Sequence, residues 1–562
     1  MNNQLFRFRM LIIILCAMGA LSAVVYRLWD LQINDRAFLQ NQGYKRAVHT
    51  VPVIPFRGMI LDRHGQPLAI STPVKSIWVD PTAVDLSQKE WTDLAILLNR
   101  NVGLIKTKIK SKKDKRFLYV KRHLPPNLGN KISRLKLKGV FLQTEYKRFY
   151  PTGEVFAHVL GMTSVDHKGI QGLEQLFNEK LSGKPGRYKV LSDRMGQKVG
   201  SLEYEKLPEN GENITLSLDS RIQYATYKAL KEAVHFHQAK AGTAIVLDVN
   251  SGEILAMANQ PSFNPNTKID VVDSRFRNRA VTDTLEPGSV AKVVSMANIL
   301  ESGKFNPETH VDTGPGWMKI SGKVVRDVRN YGVIDLNTIM QKSSNVGITK
   351  LVLSLPPESL LEAFRKMGFG QKTDSLFPGE MGGYLNEKVL NRPLSLATMA
   401  FGYGLTVTPL QIAQSYAILA NHGKKYPISF LKHSRDIQSE QVISPSVAEA
   451  INKMLQLSTQ KGGTGTRASI PGYVVAGKTG TVRKVSQQGY SDSQHVSVFA
   501  GFVPANNPKV AIVVVVDDPS NGKYYGGDVA APVFSKIAFS TMRILNVPQE
   551  NYNSKEYILV KK

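Results

Sequence analysis

From Met10 to Tyr26 the chain runs seventeen residues without a charge, closed by Arg9 and Arg27 and followed by Trp29. That length is the lower limit for a helix crossing the bilayer core, and Tyr26 and Trp29 suit the interfacial belt. Ala20-Leu-Ser22 also fits a small-x-small cleavage site, so a cleaved signal peptide is the rival. The apolar run is longer than a usual signal core, which favours an uncleaved anchor. Charge does not set the orientation, because Arg7 and Arg9 precede the segment while Arg27, Arg36, Lys45 and Arg46 follow it. Orientation is therefore taken from the chemistry below.

Beyond the anchor, to roughly residue 210, short alternating runs such as Ser76–Val79, Phe117–Val120 and Val140–Gln143 are separated by many Gly and Pro breaks. This pattern predicts a strand-rich, non-catalytic module. The texture then changes. Ile214–Leu218 alternates like a strand, and Asp219 or Ser220 caps a helix running toward Ala239. Ala244–Val249 and Glu253–Ala258, joined by Asn250-Ser-Gly252, read as one hairpin. Val496–Val503 and Lys509–Asp517, around Pro504-Ala-Asn-Asn-Pro508, read as another. Helix-like segments lie between them: Ala291–Ser302, Asn337–Leu353, Leu394–Ala420 and Ser446–Leu457. Strands at both ends with helices between predict an α+β domain over roughly 210–550, its sheet built from sequence-distant strands.

Composition adds two facts. Lys and Arg number 72 against 45 Asp and Glu, a net charge of +27, and Arg100–Arg148 alone holds sixteen Lys/Arg and two acids, Asp114 and Glu145. Such a stretch is either a face for an anionic partner or a solvated basic surface. With no stacking aromatics or nucleic-acid motif beside it, no nucleic-acid partner is expected. The single cysteine, Cys16, excludes a disulfide framework and a thiolate metal site. Leu15 before it does not suit a lipoprotein signal, so a buried, inert thiol is expected.

Three short patterns carry chemistry. In Ser289-Val-Ala-Lys292, after Glu286-Pro-Gly288, the i and i+3 positions share a helix face, so the hydroxyl and amine can meet. A serine needs a base beside it, and a lysine serves only if burial or a neighbouring cation lowers its pKa. The spelling alone is weak, since S-x-x-K also occurs at Ser133, Ser429, Ser458 and Ser520. Ser343-Ser-Asn345 brings a second hydroxyl and an amide, although Ser262-Phe-Asn264 has the same spelling and a helix cap or turn explains it equally. Lys478-Thr479-Gly480-Thr481 is the only K-T-G, and it follows Tyr473–Ala476, which reads as strand. A lysine, two hydroxyls and a glycine allowing close approach suit a carboxylate and oxyanion cradle. The joint order is the strong signal, with S-x-N 54 residues after S-x-x-K and K-T-G 135 beyond that. It is the motif set of β-lactamases and penicillin-binding proteins.

Gly472-Tyr-Val-Val-Ala-Gly-Lys-Thr479 also spells a phosphate loop, with Asp517 closing a later strand. Such a loop should follow a strand and open a helix. Here its middle residues are strand formers, and Thr481–Tyr490 has no amphipathic pattern.

The chain resembles a class B penicillin-binding protein of the septal FtsI type. Arg57-Gly-Met-Ile-Leu-Asp-Arg-His-Gly65 with Leu68-Ala69, Arg148-Phe-Tyr-Pro151 and Gly169-Ile-Gln-Gly-Leu-Glu174 match the motifs of that family's pedestal. Glu286–Ser289, Gln341–Gly347, Phe401-Gly-Tyr-Gly404 and Lys523-Tyr-Tyr-Gly-Gly527 resemble the septal subgroup in the catalytic part. The resemblance implies the serine β-lactamase-like transpeptidase fold. Its expected layout is a cytoplasmic N-terminus over 1–9, a transmembrane anchor over 10–29, a dimerisation-type pedestal over 30–209, a transpeptidase domain over 210–550 and a tail over 551–562. It also implies an inner-membrane, single-pass location with the catalytic domain in the periplasm.

By the same resemblance, Ser289 attacks the penultimate D-Ala carbonyl of a donor stem peptide and Lys292 takes its proton. Ser343 relays a proton to the departing D-Ala, and Asn345 orients Lys292 and the substrate amide. Lys478 supplies positive potential, while Thr479 and Thr481 receive the terminal carboxylate. Backbone N–H groups of Ser289 and Thr481 form the oxyanion hole, Gly480 belongs to the substrate cradle, and no cofactor is required. β-Lactams, lipid-linked precursors and an FtsW-type glycosyltransferase are the implied partners. A D,D-carboxypeptidase, a β-lactamase-like hydrolase and a β-lactam-binding sensor share the three motifs and are the alternatives.

Overall fold

A computed structural model describes residues 2–192, 198–267, 274–433, 437–486 and 489–550. The expected tail at 551–562 lies outside them. The chain forms two compact units, one of Met1–Arg57 with Ser182–Gly211 and one of Gly58–Leu181 with Glu212–Lys562.

The first unit begins with the helix Asn2–Trp29, which continues through a π-type turn, Asp30–Asn34. Together Asn3–Asn34 is long and apolar enough to cross a membrane. Cys16 lies exposed on this helix, which corrects the expectation of a buried thiol: none of the span's best apolar window is covered by the chain itself. The unit ends in a three-stranded sheet, with Gly186–Ser192 central between Val48–Val53 and Lys198–Lys206.

The second unit holds the two larger sheets. In its N-terminal part Pro67–Val79 pairs with Leu118–Leu124 and Val140–Phe149. The short strand Ile60–Leu61 pairs in parallel with Ile214–Thr215, so the expected strand Ile214–Leu218 is only two residues long. Helices Gln88–Leu98, Val102–Lys110 and Pro126–Arg134 share a core with this sheet around Ile77, Leu94, Leu98, Val120 and Ile132. The first of them starts at a capping box, Ser87 with Glu90, as its Ser-x-x-Glu spelling dictates.

The catalytic part is built on five antiparallel strands: β1 (Ala241–Asp248), β2 (Ile254–Gln260), β3 (Ala476–Ser486), β4 (Gly489–Val503) and β5 (Val510–Asp517), in the order β2-β1-β5-β4-β3. Both expected hairpins are present, and strands from the two ends of the domain meet where β1 pairs β5. β1 and β5 read as unbroken apolar runs because both faces are covered. Helices α1 (Ser220–Phe236) and α7 (Gly526–Ile544) share one core with residues of the sheet. A second core contains α2 (Lys292–Glu301), α3 (Leu336–Lys342), α4 (Asn345–Leu353), α5 (Pro409–Ala420) and α6 (Pro445–Thr459).

Two expected helices are each split in two. Asn337–Leu353 breaks at Ser343, and Leu394–Ala420 divides into Pro393–Ala400 and α5 around the Phe401–Gly404 turn. The K-T-G triplet does not follow a strand ending at Ala476 but lies within one that starts there. A β-hairpin continues from it, so no helix opens at Lys478 and the phosphate-loop reading has no structural basis.

Candidate active site

Ser289 sits in a 3₁₀ turn, Gly288–Ala291, that runs into α2. Gly288 has φ +55°, and a Cβ there would lie 2.6 Å from Val482 Cγ2, so only glycine fits beside β3. Gly480 permits the same approach from the strand side, since its Cβ would stand 3.1 Å from Pro287 O and Val290 Cγ1. These two glycines let the serine turn rest against the edge strand.

One turn of helix places Lys292 on the same side as Ser289, with its side chain wholly buried. Its amine reaches Ser343 O at 2.6 Å, Asn345 Oδ1 at 2.7 Å and Ser343 Oγ at 3.1 Å. Ser343 Oγ is in turn 3.0 Å from Ser289 Oγ. A continuous path, Ser289 Oγ to Ser343 Oγ to Lys292 Nζ, therefore connects nucleophile and base. Hydroxyl protons rotate, so the path conducts toward Lys292 when the amine is neutral and toward Ser289 when it is charged.

The break at Ser343 makes this possible. Ser343 adopts φ +61° at the end of α3, and Ser344 caps α4 by accepting from Gly347 N–H. The break turns the Ser343 hydroxyl and the Asn345 amide onto one amine. Asn345 Nδ2 donates to Arg326 O at 2.9 Å, which leaves Oδ1 for Lys292.

Asp327 holds the turn and carried no sequence signal. Its carboxylate accepts from Ser344 Oγ at 2.6 Å, Asn345 N at 2.5 Å and Val346 N at 3.0 Å. It occupies the N-terminus of α4, where the helix dipole favours an anion.

Lys478 is also fully buried, and its amine has no hydrogen-bond partner among the described residues. Alternation along β3 puts Lys478 and Gly480 on one face and Thr479 and Thr481 on the other. Thr479 Oγ1 is 2.7 Å from Thr464 Oγ1, and Thr481 Oγ1 accepts from Gly526 N–H at 2.9 Å, at the start of α7. An accepting hydroxyl keeps its own proton to donate, so Thr481 remains able to bind a carboxylate.

Burial pushes the Lys292 amine well below the ordinary lysine range, and the nearby Lys478 cation pushes it further, against the pull of Asp327. Burial brings Lys478 down to about 7. An amine pushed toward its neutral form by burial and by a second buried lysine is what a lysine base requires.

Glu286 ties the serine turn to its surroundings. It accepts from Gly404 N–H at 2.8 Å and from Tyr490 O–H at 3.1 Å on the β3–β4 hairpin. Burial raises its carboxyl. Of the residues singled out by motif, Ser289, Lys292, Ser343 and Asn345 form one hydrogen-bonded cluster, and Lys478–Thr481 line the strand beside it. Asp327, Thr464 and Tyr490 were not foreseen. They come from a loop and from segments whose spelling marks no function.

The penicillin binding protein transpeptidase domain family matches residues 242–538, and the penicillin-binding protein dimerisation domain family matches 52–216. The chain is 40% identical over 553 residues to the probable peptidoglycan D,D-transpeptidase PbpC of Pseudomonas aeruginosa, covering 98% of each chain. It is 38% identical over 537 residues to the peptidoglycan D,D-transpeptidase FtsI of Escherichia coli, covering 95% of this chain and 91% of FtsI. The crystal structure of penicillin binding protein 3 of Mycobacterium tuberculosis with ampicillin superposes with a TM-score of 0.70 at 26% identity, covering 89% of this chain and 98% of that one. With both domain families in order and a relative matched over 98% of each chain, the chain belongs to the class B penicillin-binding proteins, in the FtsI-type group of peptidoglycan D,D-transpeptidases.

Proposed function

We propose that this chain cross-links peptidoglycan stem peptides at the division septum through an acyl-enzyme on Ser289. The observation that carries the reading is the path from Ser289 through Ser343 to a buried Lys292 whose amine burial pushes toward its neutral form.

In the first half-reaction Ser289 Oγ forms a bond to the penultimate D-Ala carbonyl carbon, and its proton passes to Lys292. The backbone N–H groups of Ser289 and Thr481 stabilise the developing oxyanion. Collapse breaks the amide C–N bond, and the terminal D-Ala leaves with the proton returned through Ser343. In the second half-reaction an amine of a neighbouring stem attacks the ester, forming the new amide and releasing Ser289. Asn345 fixes Lys292, Lys478 supplies positive potential, and Thr479 and Thr481 bind the donor's terminal carboxylate. A β-lactam that mimics the donor acylates the same serine.

The N-terminal apolar helix serves as a single-pass anchor in this reading, with 30–209 as the pedestal and 210–550 as the periplasmic transpeptidase. Lipid-linked precursors are polymerised by a separate FtsW-type partner. The test is to supply purified chain with a pentapeptide donor strand and an acceptor strand, then resolve products by mass. Cross-linked dimers with one D-Ala released per bond support transpeptidation. D-Ala release without dimers, even with the polymerase partner present, gives the carboxypeptidase reading instead.

A further inference from the structure

The basic stretch between Arg100 and Arg148 does not simply coat a surface. Part of it lines a cavity of about 540 Å³ in the second unit, walled mainly by its N-terminal part and also by residues 265–267. Its walls come from six places in the chain: Arg100 just after the helix Gln88–Leu98, Lys108 on the helix Val102–Lys110, the strands Leu118–Leu124 and Val140–Phe149, and the segments 163–167 and 265–267. Arg100, Lys108, Lys121, Arg122, Lys147 and Arg148 all contribute, and no carboxylate lines it among the described residues.

The acids behind the wall are already committed. Arg122 bonds Glu145 at 3.0 Å and Asp166 at 2.7 Å, and Arg148 bonds Glu174 at 2.6 Å. Arg100, Lys108, Lys121 and Lys147 have no carboxylate partner among the described residues. The ammonium groups of Lys108 and Lys121 are steered by backbone carbonyls, at 2.8 Å from Tyr119 O and 2.7 Å from Leu98 O, which orients the charge without neutralising it. His123, in the same wall, has a buried Nε2 with no hydrogen-bond partner among the described residues, 3.8 Å from the nearest Glu145 oxygen.

A solvated basic face would spread its charges outward along one helix. Here cations from separate elements surround one volume, beside a stranded imidazole nitrogen. Four uncompensated cations call for an anion with more than one charge and several acceptor oxygens, which a phosphoryl group supplies and a lone carboxylate does not. We infer that this cavity, whose lining does not include Ser289, is a binding site for a phosphoryl polyanion, independent of the transpeptidase reading.

The probe is inorganic pyrophosphate, titrated into the full chain in neutral-detergent micelles by calorimetry. Saturable binding is expected, weakening as salt rises. The paired variant Arg100→Gln/Lys147→Gln changes two exposed side chains and should bind about tenfold more weakly or worse. Lys121→Gln tests the strand Leu118–Leu124 separately. Penicillin labelling of Ser289 and the melting temperature should be unchanged in the paired variant. Adding phosphatidylglycerol to the micelles distinguishes the sources: competition with pyrophosphate assigns a lipid headgroup, and its absence a soluble phosphoryl compound. No saturable binding, or binding unaffected by both variants, overturns the proposal.

Discussion

The second unit buries charge in two places and treats it in opposite ways. In the N-terminal part, Arg148 and Glu174 are 4% and 0% exposed, yet their ion pair is only part of the arrangement. Arg148 also donates to Gly58 O at 2.8 Å and Ser71 Oγ at 3.2 Å. Three of the sequence motifs, at 57–65, 148–151 and 169–174, meet there. In the catalytic part, Lys292 and Lys478 are equally buried, but among the described residues neither touches a carboxylate. The first cluster is neutralised and holds structure together. The second keeps two amines buried, where a shifted pKa relieves the cost. Low-dielectric burial thus serves architecture in one region and reactivity in the other.

If that contrast holds, breaking each cluster should move a different observable. Lys292→Met should slow acylation by penicillin by about 10³-fold or more, the upper part of the range for a lost general base, while the protein stays folded in a thermal melt. Arg148→Ala should do the reverse. Leaving Glu174 buried and alone costs about 3–5 kcal/mol of stability, read in denaturant titrations, whereas the folded fraction still acylates at the normal rate.

Lys478→Met separates the two effects in one residue. Removing an unpaired buried amine should stabilise the fold by roughly 1–3 kcal/mol while slowing turnover. The sign with pH follows from its lowered pKa. Between about 7 and the ordinary lysine value the unfolded state binds more protons, so wild-type stability rises with pH through that window. Melting at pH 7 and pH 9 should show a smaller gain in the variant.

The finest test sets Lys478 against Asp327. Acylation requires neutral Lys292, so its rate falls as pH drops through the Lys292 pKa. Lys478→Met removes a repelling cation and should move that acid limb to higher pH. Asp327→Asn removes an attracting anion and should move it to lower pH, with about 1 kcal/mol lost from the α4 cap. Shifts in the same direction would contradict the electrostatic roles assigned to both residues.

The sheet strands and hairpins of the catalytic part were legible because their apolar runs and turn residues agree with their burial. The motif residues were legible because their chemistry demands particular side chains in a fixed order. What escaped depends on distance in the chain. The helix break at Ser343 looks like continuous helix, since a positive φ at a serine is imposed by the anchoring of Asp327 and the amine of Lys292. Asp327 itself lies in a loop beyond the strand Lys323–Arg326, where an aspartate is ordinary. The basic stretch could be read as surface or site alike until the fold showed which of its residues face one cavity.

Labelling with a fluorescent penicillin, wild type against Ser289→Ala, followed by release and peptide mapping, tests the nucleophile most directly. One adduct per chain on Ser289, lost in the variant and slow to release, is the expected result. Labelling that survives in Ser289→Ala would contradict the assignment of Ser289, and rapid release would make the chain a hydrolase.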